Sequence, residues 1–424
     1  MTSVHSNAPA ICRQRSNSQL WQVRTSPRLV NDVIRVSSRS IPNAARMRPV
    51  FVRRLTGGHF AMTVTIMKFG GSSFRRADCY RSVSAHIMDR LATDADQVVV
   101  VVSAMYGVTE SLKALALAVN DRCDSAALDT VLTTGEMVSV GLLEAALERY
   151  SVPVSTLFGY SLGFRTSSGF NRACIENIDE VPLRKALQAS RVVIVAGAQG
   201  ADESGRITML GRNSSDLTAV VVADVVGSSS CEIYSDVCGI YTSDPHLVKG
   251  ARLVREISYA SVSRMARCGA RVLHYGAAEY ASTCGIVISC KSLAPQENVG
   301  TLVGDLGNAA TVVINPSAKR IKLSSSSEQQ AVLALLDALD ITWIDVDEDV
   351  GSEVYLSHDV DFALKAFAQK GIRPLDVSNR VLVTEINKDR QRSHEFLDLD
   401  SAVTYARRAH ETIYPSEEQS DVSL

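Results

Sequence analysis

Five consecutive valines stand at the centre of QVVVVVSAM (97–105). Their β-branched side chains suit a pleated strand better than a helix. A run with no polar alternation also demands apolar cover on both faces, the environment of an inner strand in a parallel sheet. Neither this run nor the next longest, 220–226, approaches the roughly 20 apolar residues that cross a bilayer. A chain organised around such a strand is expected to be α/β, with helices in layers on both sides of the sheet.

The surrounding sequence keeps that rhythm. VTIMKF (64–69), PVSTLFG (153–159), VVIVAG (192–197) and CEIYSDV (231–237) read as strands. Helices are predicted over ADCYRSVSAHIMDRL, 109–120, TGEMVSVGLLEAALERY (134–150) and DLTAVVVADVVG (216–227). This alternation spans 62–305. Between 320 and 385 the order becomes β-α-β-β-α-β, that of a small split-βαβ module assigned to 312–387. The remaining segment, 388–424, carries one helix, SAVTYARRAHETI (401–413), and an acidic tail.

Charge divides the chain differently. Residues 1–61 hold ten Arg, no Lys and the single acid Asp32, although the whole chain balances 44 basic against 46 acidic residues. This Arg/Ser-rich leader shows no sustained periodicity and reads as disordered: an appendage or a start set upstream of Met62 or Met67, with organelle targeting as the alternative. With no global basic field and no membrane-length segment, nucleic-acid and membrane partners are not expected. Nine Cys without a CxxC pair signal neither a disulfide framework nor a zinc site, and a reducing, cytoplasmic setting is expected.

Four polar segments are candidates for chemistry. KFGGSS (68–73) joins a strand to a helix, where Gly70 and Gly71 let the backbone close on an anion, Ser72 and Ser73 offer hydroxyls and Lys68 a point charge. TMLGRNSSDLTA (208–219) sets Arg212 and Asp216 around a polar turn, and LTTGE (132–136) is expected to open a helix with Glu136 in its first turn. SDVCGIYTSDPHLV (235–248) ends a strand with turn residues. Singly, each is an ordinary cap or turn. Together they fall at strand ends, where open α/β sheets bind ligands.

The ordered set KFGGSS, VVSAMYGVT (101–109), LTTGE, VAGAQG (195–200), TMLGRNSSD, SDVCGIYTSDP and GARVLH (269–274) resembles the aspartokinases of the amino-acid kinase family over about 64–305. The resemblance implies a three-layer αβα kinase domain followed by an ACT-like regulatory and dimerising module. It implies Mg2+-ATP as phosphoryl donor, the L-aspartate side-chain carboxylate as acceptor, and a place in amino-acid biosynthesis towards lysine, threonine and methionine. A homodimer or higher homo-oligomer follows in the same way. By resemblance Lys68 and Asp216 are catalytic, and Ser103, Thr109, Glu136, Arg212 and Ser215 bind the acceptor. Lys68, Gly70, Gly71, Ser72, Ser235, Asp236, Tyr241 and Arg271 face the nucleotide, and no protein cluster is dedicated to the metal.

The departures are as specific. The family's GRGGSD is GRNSSD here, with Asn213 and Ser214 replacing glycines. Ala198 takes the aromatic position of GFxG, His246 the Arg of DPR, Arg271 a Lys, and His274-Tyr275 stands for His-Pro. Asn213 tolerates left-handed backbone and Ser214 retains a donor, so an adapted loop is expected. Two other readings follow from the departures: a kinase for a different small carboxylate, or a paralogue that binds without catalysis.

Overall fold

The computed structural model describes residues 63–211, 213–293, 300–346, 351–388 and 390–415; the leader and Arg212 lie outside the described residues. An eight-stranded sheet runs in the order Glu256–Ser258, Thr301–Gly304, Val287–Ser292, Ser230–Ser235, Val64–Phe69, Gln97–Val102, Val192–Ala196, Val154–Leu157. All its pairings are parallel except Val287–Ser292 with Thr301–Gly304. The valine strand is internal and buried along its full length.

Successive residues of the inner strands feed opposite cores, as a pleat of period two requires. Ile66, Val99, Val101, Val193 and Val195 pack with Leu217–Val225 and with Ala277, Ala278 and Ala281. Met67, Val98, Val100, Val102 and Ile194 pack with Val83, Ile87, Val140, Leu143 and Leu147 on the other side. The result is the expected three-layer αβα arrangement.

A second region is an antiparallel five-stranded sheet in the order Trp343–Ile344, Glu353–Leu356, Thr311–Lys322, Asp376–Ile386, Gln391–Phe396. Helices Ser326–Ala338 and Val360–Gln369 share a core with Ile321, Val354 and Leu356. Helix Leu399–Ile413 covers Val312, Ile314, Val381 and Val383. This is the ACT-like module of the sequence reading.

Three local expectations are corrected. Helix Ser125–Leu147 begins nine residues before Thr134, with Asp124 at its N-cap, so LTTGE lies inside the helix and does not open it. Its apolar, Ala-rich first turns extend the helix past the polar Thr133-Thr134 pair, whose hydroxyls bond back to the Asp129, Thr130 and Val131 carbonyls. Beyond Asn387 a strand, Gln391–Phe396, precedes the expected helix; its polar sequence QRSHEF hides it, because it forms a sheet edge. A small sheet of Ile175–Ile178, Phe164–Thr166, Gln199–Ala201 and Ile207–Met209 was not anticipated, its strands being too short for periodicity to register. One stretch, Ser125–Tyr150, is long and apolar enough to cross a membrane by composition, but half of its most apolar window is buried inside the fold.

Candidate active site

The C-terminal ends of the central strands turn away from the sheet within a few residues of one another. Lys68, near the end of its strand, is held by pairing on both sides, with Val101 and Ile233 as neighbours. Its Nζ lies 2.6 Å from Asp216 Oδ1, and both side chains are buried. Asp216 occupies the first turn of helix Ser215–Val226, where the helix dipole favours negative charge. Its other oxygen accepts the His274 backbone N–H at 3.0 Å.

The chain after Lys68 forms a 3-10 turn over Gly71–Ser73, with Gly70 N–H bonded to the Tyr234 carbonyl at 3.2 Å. A Cβ on Gly71 would lie 2.9 Å from the Ala104 carbonyl oxygen, so only glycine lets the two strand-end loops meet here. Ser103 N–H donates to the Phe69 carbonyl at 3.1 Å, and Thr109 lies in the first turn of helix Val108–Val119. Ser73 Oγ is buried without a hydrogen-bond partner.

Glu136 arrives at the same junction from the middle of its helix. Its Oε1 accepts the Ala104 N–H at 3.3 Å, while its buried Oε2 has no hydrogen-bond partner. Burial, with no cation beside it among the described residues, pushes its carboxyl up to about 7. Ser215 is buried against Gly197, where a Cβ would fall 2.5 Å from Ser215 Oγ, so the VAGAQG turn must be bare at that point.

The other sequence candidates are more spread. Ser235 Oγ donates to the Val237 carbonyl at 3.0 Å, and exposed Asp236 pairs with Arg75 at 2.9 Å. Arg75 in turn lies over the Tyr106 ring. Tyr241 forms an isolated bridge with Leu253, Arg271 is exposed, and Ser72 is half-buried in the glycine turn. The structure therefore draws together Lys68, Asp216, Gly70 to Ser73, Ser103, Glu136 and Ser215, whereas Asp236 is engaged with Arg75, Tyr241 with Leu253, and Arg271 is exposed.

With this geometry established, similarity to known proteins is informative. The profile of the Amino acid kinase family matches residues 63–292, more than half of the chain. The chain belongs to the amino acid kinase family. It is 38% identical over 242 residues to the aspartokinase of Geobacillus stearothermophilus, covering 57% of this chain and 59% of that one. It thus spans about three-fifths of the length of the curated relatives it matches. Its fold is similar to E. coli aspartokinase III solved with aspartate and ADP in the R-state (TM-score 0.61, 24% identity, 77% of this chain and 88% of that chain). The same enzyme with lysine and aspartate in the T-state gives a TM-score of 0.57 at 20% identity, over 83% and 99% of the two chains.

Against the family pattern, the substituted loop is orderly. Asn213 adopts φ 61°, the left-handed conformation a glycine would otherwise supply, as expected for Asn. Ser214 is fully buried and its hydroxyl donates to the Gly211 carbonyl at 2.7 Å, so it braces the loop and is not offered to a ligand. Ala198, in place of the family's aromatic residue, also has a positive φ of 63°. Its N–H donates to Thr218 Oγ1 and its carbonyl accepts from Leu210, each at 2.9 Å.

Asp129 was missed by sequence reasoning. It is fully buried on the Glu136 helix, two turns earlier, and its Oδ2 accepts the N–H groups of Asn171 and Met209 at 2.8 Å each. Burial pushes it up to about 6. The available signal was its spacing of seven from Glu136 within a helix otherwise almost free of charge.

Proposed function

We propose that this chain is an aspartate kinase, transferring the γ-phosphoryl group of ATP to the side-chain carboxylate of L-aspartate to give 4-phospho-L-aspartate and ADP. The observation that carries the reading is the pairing of two unlike sites at one junction: a Lys68–Asp216 ion pair beside a glycine turn, and a buried Glu136 with one oxygen unpartnered. An unpartnered buried carboxylate is costly until a cation meets it. The α-ammonium of an amino acid is such a cation, whereas an acceptor carrying only phosphate or carboxylate would be repelled there.

The acceptor carboxylate is already ionised near neutral pH, so no general base is required and catalysis rests on alignment and charge neutralisation. A carboxylate oxygen bonds to the γ-phosphorus as the bond to the ADP oxygen breaks. Lys68 would neutralise the phosphoryl oxygens, with Asp216 fixing its position. Ser103, Thr109 and Ser215 line the acceptor side and Arg212 would take the α-carboxylate bidentately. Gly70, Gly71 and Ser72 would cradle the phosphates, with Ser235, Asp236, Tyr241 and Arg271 towards the nucleoside. The bare Gly71 turn and the unpartnered Ser73 hydroxyl fit an anionic phosphate chain. Mg2+ would supply charge neutralisation of the phosphates, and Asp216, the acid beside Lys68, would help to hold it.

A homodimer assembled through the ACT-like module, a cytoplasmic setting and a role in supplying lysine, threonine and methionine are parts of the same reading. Light scattering of the full chain tests the assembly. A second acceptor reading is favoured by Ala198, which removes an aromatic side chain from a turn that packs against helix Ser215–Val226. A hydroxylamine trap with ATP, Mg2+ and a panel of small carboxylates decides between them. L-aspartate-dependent hydroxamate supports the proposal, another acceptor replaces it, and silence across the panel favours a binding-only protein.

A further inference from the structure

Away from Lys68, a dense, half-buried cluster of charge lies where the C-terminal module meets the kinase region. Arg172 Nε pairs with Asp359 at 2.7 Å, and its terminal nitrogens donate to the Leu339 and Asp340 carbonyls at 2.5 Å each. Arg267 donates to Thr342 Oγ1 at 2.5 Å and pairs with Glu279 at 2.7 Å. The module answers with Ser357, which donates to the Arg267 carbonyl, and His358, whose Nε2 lies 2.6 Å from the Ala266 carbonyl. Both arginines are therefore anchored on module residues.

Both also converge on Tyr275. The Arg267 guanidinium sits 4.3 Å from the centre of its ring, and Arg172 donates to its hydroxyl at 3.2 Å. The ring stacks on His274 at 4.8 Å, and the His274 N–H is the group that holds Asp216. Tyr275 is the first residue of helix Tyr275–Cys284. That position accepts proline readily, and proline is what the aspartokinase pattern carries there. Proline would start the helix equally well but presents neither a π face to a cation nor a hydroxyl to a donor.

We propose that Tyr275 is a positioning residue for Asp216: the module, seated on Arg172 and Arg267, fixes Tyr275 and His274 and thereby the N–H that orients the carboxylate. The proposal rests on the kinase reading for its catalytic consequence only. Removing one partner from a half-buried, charge-assisted cluster leaves the groups it held without that contact, so the cluster holds or loosens as a unit.

The test uses the full-length protein and five variants: Tyr275→Phe, Asp359→Asn, their combination, Tyr275→Pro, and Tyr275→Pro combined with Asp359→Asn. Each of the first two is expected to lower kcat about 3- to 10-fold, with KM for the acceptor within about twofold, and the double variant to be no worse than the poorer single one. In the Tyr275→Pro background, Asp359→Asn is expected to change kcat by less than about 1.5-fold. Hydrogen exchange of the His274 amide, followed independently of activity, should accelerate in Tyr275→Phe and in Asp359→Asn. Multiplicative losses in the double variant, or unchanged His274 exchange in both single variants, would overturn the proposal. If the wild-type protein makes no acyl phosphate, the kinase reading fails on that result, and the exchange measurement alone decides the role of Tyr275.

Discussion

Asp216 and Glu136 are both almost wholly buried acids at the strand-end junction, yet they are held in opposite ways. Asp216 has a cation at 2.6 Å and a backbone donor at 3.0 Å. Glu136 has a single backbone donor at 3.3 Å and one oxygen with no hydrogen-bond partner. The first acid has its counter-charge within the chain, through an ion pair at an Oδ1 that makes no hydrogen bond, and suits a fixed electrostatic frame that need not reorganise during reaction. The second has no counter-charge among the described residues, and burial raises its carboxyl. Under the proposed function, the contrast suits one acid to organising the reacting centre and the other to recognition.

The strongest way to break the contrast is to remove the paired cation. Lys68→Ala is expected to lower turnover at least about 100-fold, because in the proposed reaction its charge acts on phosphoryl oxygens in the transition state. Asp216 keeps the His274 N–H, so far-ultraviolet dichroism should still show a folded protein with a lowered melting temperature. Near-wild-type turnover in that folded variant would remove Lys68 from the chemistry.

Glu136→Gln should separate recognition from turnover. KM for L-aspartate is expected to rise about 10- to 100-fold, the scale of a hydrogen bond to a charged group, with a much smaller change in kcat. Steady-state kinetics over a range of aspartate concentrations checks this, and a pure kcat effect would contradict an ammonium-binding role. In the wild type, KM for aspartate should fall as pH rises through about 7, because the ionised form is the one that binds.

A smaller change is expected from Asn213→Gly combined with Ser214→Gly. It removes the Ser214 brace on Gly211 while retaining a backbone able to adopt φ 61°. Acceptor preference should shift by about threefold to tenfold without loss of fold, since a braced loop sets shape more than charge. Parallel kinetics on L-aspartate and the best alternative acceptor would show this, and equal losses on both would show that the loop does not discriminate.

The smallest effect concerns stability. Glu136 and Asp129 have folded-state values near 7 and 6, both raised by burial above the ordinary carboxyl range. The folded chain therefore binds protons more tightly than the unfolded one, so this contribution is fully present below the unfolded value and is lost as pH rises through 6 to 7. The melting temperature should decline across that window, and Glu136→Gln should reduce the decline by a few degrees. Thermal denaturation at pH 5 and pH 8 measures it, and an equal slope in the variant would place Glu136 outside this linkage.

The αβα layering and the glycine turn were legible because they follow from local chemistry. Five valines require a doubly covered strand, and the Gly70-Gly71 pair after Phe69 marks a strand's end. Asn213 was legible for the same reason: its left-handed backbone is a property of the residue type. The strand Gln391–Phe396 was not, because an edge strand needs little apolar surface and its pairing partner supplies the pattern.

The sequence by itself determined the sheet, the order of its chemical motifs and the residue types available at each strand end, since these depend on periodicity and backbone preference within short windows. Only the tertiary structure decided that Glu136 sits mid-helix with an unanswered oxygen, and that Ser214 turns its hydroxyl inward. It also decided that Tyr275 lies between two arginines anchored on the module. Those outcomes depend on which donors and charges distant segments bring within about 3 Å, the reach of a hydrogen bond, and separation along the chain carries no record of that distance.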